Sequence, residues 1–267
     1  MSEKSSIFSA APQEYEHPLP AYGEITSKPG YTYGGSGTHT SGRPILFPRE
    51  CVFFYRMPHS HSHLGVNKNE PLFLVRPPRF SMGSGDIILL NGTDKLDTPP
   101  ASVGALKLKS TKACAAELRL KPRPGGSFTQ SLEINLTVGI QNKYQFVAPV
   151  GPNGQHETFE WRQSTGELVR DLAGGFQYGM KLVRLDGVTG DASSDGKVTV
   201  VTGDDKPIVA IFAAVRPQCT SAKFRFVNEG ATGELGEVFE LAAMISFMRL
   251  FELQLSQGGV AIGPGSS

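Results

Sequence analysis

The chain has 267 residues, 39% of them hydrophobic, with 31 glycines, 19 prolines and a formal net charge of +1. That apolar share excludes disorder throughout, and the density of chain breakers argues against a helical bundle and for many short strands joined by turns. Near-neutral charge removes the whole-chain attraction to phosphate that a nucleic-acid partner would call for.

Residues 1–44 are poor in large aliphatics and include EHPLPAYGE and YTYGGSGTHTSG. Such a stretch cannot bury enough surface to fold alone and reads as a flexible Pro/Gly/Ser-rich arm. A Pro/Tyr motif around Leu19 to Tyr22 is its candidate docking element for a protein partner. The first residues, MSEKSSIFSAAPQ, lack a basic start followed by an apolar run, so the expected location is intracellular and cytoplasmic. Cys51, Cys114 and Cys219 are odd in number and form no CxxC pair, the pattern of buried reduced thiols.

From Cys51 onward the chain turns to short apolar runs punctuated by Pro, Gly, Asn and Asp: CVFFYRM, LFLVRPPRF, DIILLN, VGALKLK, CAAELRLK and LEINLTVG. Their length and alternation are those of strands. Within them Lys107, Lys109, Lys112, Arg119, Lys121 and Arg123 face only Glu117 of opposite sign. On alternating strands these side chains predict a basic sheet face, suited to anionic phospholipid headgroups or to plain solvation.

His59, His61 and His63 alternate with serine, so a strand would turn all three imidazoles to one side, as in a metal site. The rival reading is a solvent-exposed His-rich loop. A cupin-like enzyme needs a nearer acid than Glu70 and a later Gly/Pro-flanked histidine, whereas His156 sits in GQHETF. No G-x-S-x-G elbow, P-loop or HExxH occurs, and no cofactor is expected.

The second half keeps the strand rhythm: KYQFVAP and HETFEWRQ around Gly151 to Gly154, a turn over Arg162 to Gly166, then GMKLVRL, the polar loop DGVTGDASSDG, KVTVV, PIVAIFA and KFRFV. Trp161 and Glu160 read as half core, half surface. Arg184 or Arg225, if turned toward the terminal helix, would need Glu237 or Glu240 as a partner.

The strands precede one convincing helix, residues 236–255, GEVFELAAMISFMRLFELQL. At 100° per residue its apolar side chains Phe239, Leu241, Met244, Ile245, Phe247, Met248, Leu250 and Phe251 leave no solvent-facing stripe, and only Ser246 breaks the run from Leu241 to Met248. A membrane span wants about 20 apolar residues in a row, and Glu240, Arg249 and Glu252 interrupt this one. Glu234, Glu237 and Glu240 gather at its start, where the macrodipole favours acids. The expected fold is mainly β: an antiparallel barrel of about twelve strands wrapped around a buried hydrophobic C-terminal helix. Its bounds are residues 45–257, with 258–267 as a flexible tail.

FEWR at Phe159 to Arg162, Gly166, KLVRL at Lys181 to Leu185, KFRF at Lys223 to Phe226 and GELGE at Gly233 to Glu237 resemble an uncharacterised set of fungal proteins. Those are similar to the tubby C-terminal-like group, which also holds the phospholipid scramblases and the LURP-one-related proteins. The resemblance spans Asn135 to Leu255 and implies a barrel of about a dozen strands threaded by a hydrophobic helix, with Met180, Phe212 and Phe251 where tryptophans would stand. The scramblases' cysteine-rich stretch and acidic calcium segment have no counterpart, since Asp186, Asp191 and Asp195 lack the alternating ligands of a calcium loop.

Together these features predict a binding module rather than an enzyme, meeting an anionic membrane surface through its basic face. The alternatives are a metal-dependent enzyme at His59, His61 and His63 and a protein-interaction scaffold using the arm.

Overall fold

The structure is a computed structural model. It describes residues 46–54, 62–76, 85–90, 92, 100–105, 107–110, 113–123, 125–138, 143–174, 179–186, 200–215 and 221–256, with 107–110 and 113–114 as backbone alone. The expected arm and tail, Lys112, His59, His61, Cys219 and the DASSDG loop lie outside the described residues.

Thirteen strands run in chain order: β1 Glu50–Phe54, β2 Ser62–Asn67, β3 Glu70–Arg76, β4 Ile87–Leu89, β5 Ala101–Val103, β6 Lys107–Ser110, β7 Ala113–Leu120, β8 Leu132–Val138, β9 Tyr144–Val150, β10 Gln155–Ser164, β11 Gly179–Arg184, β12 Ile208–Ala214 and β13 Ser221–Phe226. Neighbours in the sheet are neighbours in sequence and pair antiparallel. Two further contacts close the ring: β13 returns to β1, with Phe224 opposite Cys51, and β5 pairs β7, with Val103 opposite Leu118. Twelve strands form the closed barrel. The thirteenth, β6, stands outside the ring as a hairpin partner of β7.

Period-two alternation decides which residues enter the lumen. On β13, Ala222, Phe224 and Phe226 are buried while Lys223 and Arg225 face outward, and on β10 Phe159 and Trp161 point in. The lumen is filled by α3, Glu237–Ser256. Phe239, Leu241, Met244, Ile245, Phe247 and Met248 are fully buried, and Leu250 and Phe251 nearly so. Phe247 meets rings from three strands, Phe53 at 5.9 Å, Phe212 at 4.9 Å and Phe224 at 5.1 Å between centroids. Phe239 meets Phe159 at 4.7 Å. An evenly apolar helix is thus sheathed on all sides, as its composition requires. Gly236 precedes it at φ 87°, a conformation L side chains avoid. Among the described residues no helix is long and apolar enough to cross a membrane.

Two details differ from the sequence pattern. Where the pattern predicts a plain turn over Arg162 to Gly166, β10 continues to Ser164 and a short helix follows, α1 Glu167–Leu172. Val169 and Leu172 cover the outer side of Ile208, Ile211 and Ala213, so β12 is buried on both faces, which is why IVAIFA is apolar without alternation. A second short helix, α2 Glu229–Thr232, precedes α3. Of KVTVV, residues 197–199 lie outside the described residues; Val201 makes a single bridge to Pro207 around a turn that places Asp205 at φ 54°.

Candidate functional site

Arg119, Lys121 and Arg123 do not share one face. Arg119 on β7 is paired with Glu117 at 3.2 Å and Asp86 at 3.3 Å, and all three are well exposed. The hydrogen bonds to Glu117 push its pKa further up, and its charge is met by two carboxylates. β7 ends at Leu120, which takes Lys121 and Arg123 out of the strand alternation. Arg123 is mostly buried, its Nε 2.7 Å from Glu237 Oε1 in the first turn of α3. That corrects the reading of Arg123 as surface charge: it plugs the mouth where the helix enters, a position no strand rule anticipates. Lys121 is exposed at the same mouth.

Lys107 and Lys109 sit on β6, at the opposite end of β7, where Lys107 registers with Ala115. The register Cys114, Val138, Tyr144 carries this end of the sheet across to Lys143, which is partly exposed. Lys112 falls between β6 and β7 in the chain, outside the described residues.

His63 lies on β2 and is buried, its imidazole stacked on Phe54 of β1 with centroids 4.9 Å apart. This corrects the exposed-loop reading for His63. Its partner is an aromatic ring one strand away, invisible to a motif search. Among the described residues no group of three or more His, Cys, Asp or Glu is placed to hold a metal.

Glu160 and Trp161 are both buried, in place of the expected half-and-half. Trp161 faces the lumen, whereas Glu160 lies under an outer-wall network. It accepts from the Gln145 amide and from Arg162 Nε at 2.5 Å, with Lys143 at 3.7 Å. Burial pushes its pKa up, but the hydrogen bonds from Gln145 and Arg162 outweigh burial and hold it below the ordinary carboxylate range. Arg162 also grips Asp204 at 2.9 Å, and the Thr202 hydroxyl and Arg162 together bring Asp204 down to about 2. Lys181 is lowered, by burial first and by neighbouring Arg162 second. Glu160, Arg162 and Asp204 each have a partner of opposite charge, which makes the network a brace between β10 and the turn before β12. Arg184 and Arg225 pair with Glu157 and Glu50 on neighbouring strands; neither takes Glu237 or Glu240.

At the mouth of the barrel Glu240, 2% exposed, accepts from the Leu46 backbone N–H at 2.8 Å and from Phe47. Burial raises its pKa to about 7, against the two hydrogen bonds, and Glu237 adds to the rise. Cys51 is a buried free thiol pushed far above its ordinary range by burial and by Glu50.

One feature of the outer wall has no counterpart in the predicted sites. A groove of about 380 Å³ runs between β8 and β9, lined by Glu133, Ile134, Thr137, Gln145, Phe146 and Val147 among others. Its signal in the sequence is Pro149, inside an otherwise ordinary strand run.

The chain matches no family model, no curated protein and no solved structure. The fold itself defines the class: a closed antiparallel β-barrel of twelve strands, filled by its own C-terminal helix.

Proposed function

We propose that the protein is a non-enzymatic binding module that meets an anionic phospholipid surface through the end of the barrel marked by the β6–β7 hairpin. A lumen occupied by α3 has no room for a substrate, so ligands meet the outside of the barrel. The observation that carries the reading is the position of β6 outside the closed ring: residues 107–116, KLKSTKACAA, hold three lysines and no acid. Lys143 stands at the same end but is paired with Glu160, as Arg119 and Arg123 are paired elsewhere, and Lys121 is remote, so the three lysines of this segment carry the charge. The likeness to the tubby C-terminal-like group belongs to the same proposal and supplies a fold analogy alone.

Vesicle flotation tests it. The full chain is expected to float with phosphatidylcholine vesicles carrying phosphatidylserine, to stay behind with phosphatidylcholine alone, and to release at high salt. At about 1 kcal/mol per lysine, the triple variant Lys107→Glu, Lys109→Glu, Lys112→Glu loses roughly a hundredfold in affinity. Lys121→Glu should leave flotation unchanged. Equal flotation with both vesicle types overturns the reading.

A further inference from the structure

Lys181 on β11 is the charge that the outer-wall network leaves over. Lys143, Arg162, Glu160 and Asp204 close on one another, two cations against two carboxylates. Lys181 stands directly opposite Arg162 of β10, and on its other side it registers with Ile211 of β12, which α1 covers. Among the described residues no hydrogen bond or ion pair engages its ammonium. Like charges set opposite each other on neighbouring strands repel. α1 also lies flush on β11: a Cβ at Gly179, the next position along this face, would stand 2.6 Å from Val169 Cγ1. The half-buried amine is thus held between an apolar cover and a guanidinium.

Desolvation and a neighbouring cation are two routes by which a lysine becomes a nucleophile, because both favour the neutral amine. Burial first and Arg162 second lower the pKa of Lys181, with Asp204 acting the other way. The other charges on adjoining elements are Asp205 and Lys206 in the turn and the exposed Glu167, Arg170 and Asp171 of α1, while β12 carries none. The surplus charge decides which chemistry fits. A protonated imine, formed with an aldehyde or ketone, would keep the positive charge opposite Arg162. An amide removes it and leaves the two cations and two carboxylates in balance.

We propose that Lys181, unpaired and facing Arg162 across the strand, is a modification site that takes an acyl group from a thioester. The nitrogen lone pair adds to the thioester carbonyl carbon, the C–N bond forms and the C–S bond breaks. The thiolate leaves and takes up the proton that nitrogen gives away, so the products are an amide and a free thiol. The fold loses no ion pair in the exchange and is relieved of a like-charge contact.

The full chain is incubated with the thioester S-acetyl-N-acetylcysteamine, digested, and read lysine by lysine by mass spectrometry. Because this donor is neutral, charge changes in the protein act on the amine alone. At about pH 7.5 Lys181 should acetylate at least about threefold faster than the exposed Lys68 and Lys121, and its rate should level off at a lower pH than theirs. Arg162→Gln removes the facing cation and should slow Lys181 about threefold or more, whereas Asp204→Asn should speed it. Melting curves check that both variants fold. Lys181 no faster than the exposed lysines, pH profiles that coincide, or a rate indifferent to Asp204→Asn or to a folded Arg162→Gln would each overturn the proposal.

Discussion

The indole Nε1 of Trp161 donates a 2.9 Å hydrogen bond to Ser246 Oγ, joining the wall of the barrel to the helix within it. Ser246 is the residue that interrupts the apolar run of α3, and its hydroxyl donates in turn to the Ala243 carbonyl at 3.0 Å. An indole N–H buried without a partner costs about 1–3 kcal/mol. Ser246→Ala should therefore destabilise by about that much, although alanine is the better helix former. Trp161→Phe combined with Ser246→Ala should cost less than the sum of the two single changes. Urea unfolding of the four proteins in the cycle reads the coupling, and additive losses would show that the bond contributes nothing.

Phe247 occupies the point where β1, β12 and β13 converge on the helix. Phe247→Ala removes a fully buried ring between three aromatic neighbours, with an expected loss of about 3–5 kcal/mol. Phe247→Leu keeps most of the volume and should lose less than half of that. A lower urea midpoint with unchanged slope is the expected signature.

These two residues also show what was legible. The apolar run of α3 dictated burial on every side, and with short alternating strands ahead of it a barrel around the helix followed. The alternation of KFRF separates Phe224 and Phe226 from Lys223 and Arg225, and the buried set is the phenylalanines. Pairing between distant segments was not legible: Arg123 and Glu237 meet across 114 residues, and nothing local distinguishes Arg123 from the lysines before it. α1 was missed because one and a half turns of ELVRDL carry little periodicity and need the outer face of β12 to exist.

Glu240 gives the protein a stability profile that slopes with pH. Its folded pKa, about 7, lies above the ordinary carboxyl value of 4.5, so between those values the folded chain holds a proton that the unfolded chain releases. The stabilisation is complete below the unfolded value, declines as pH rises through this window and is lost above about 7. A shift of this size corresponds to about 3 kcal/mol. Glu240→Gln, which cannot ionise and keeps a carbonyl acceptor for Leu46 N–H, should flatten that slope and raise stability at pH 8. Arg123 and Glu237, the charged groups beside it, stay in place in this variant. Urea midpoints measured from pH 4.5 to 8 for both proteins check it, and parallel profiles would assign the slope to other groups.

At the far end of α3 the buried charges are opposite in sign and face each other. Arg249 and Glu252 are fully buried, one helical turn apart, with Arg249 Nη1 donating to Glu252 and Nη2 to the carbonyls of Gly85 and Val103. The pair ties the helix to the segment entering β4 and to the end of β5, across more than half the chain. Both charges lost their hydration on folding, so the net value of the pair is small even though each half depends on the other. Glu252→Leu alone leaves a buried guanidinium without its counter-ion and should cost about 3–5 kcal/mol. Arg249→Met with Glu252→Leu removes both charges, keeps comparable volume and should recover most of that loss. Recovery to wild-type stability or beyond would show that the pair sets where the helix stops sliding through the barrel more than how tightly it is held. Failure to recover would place the stability in the bonds to Gly85 and Val103, which the double variant also removes.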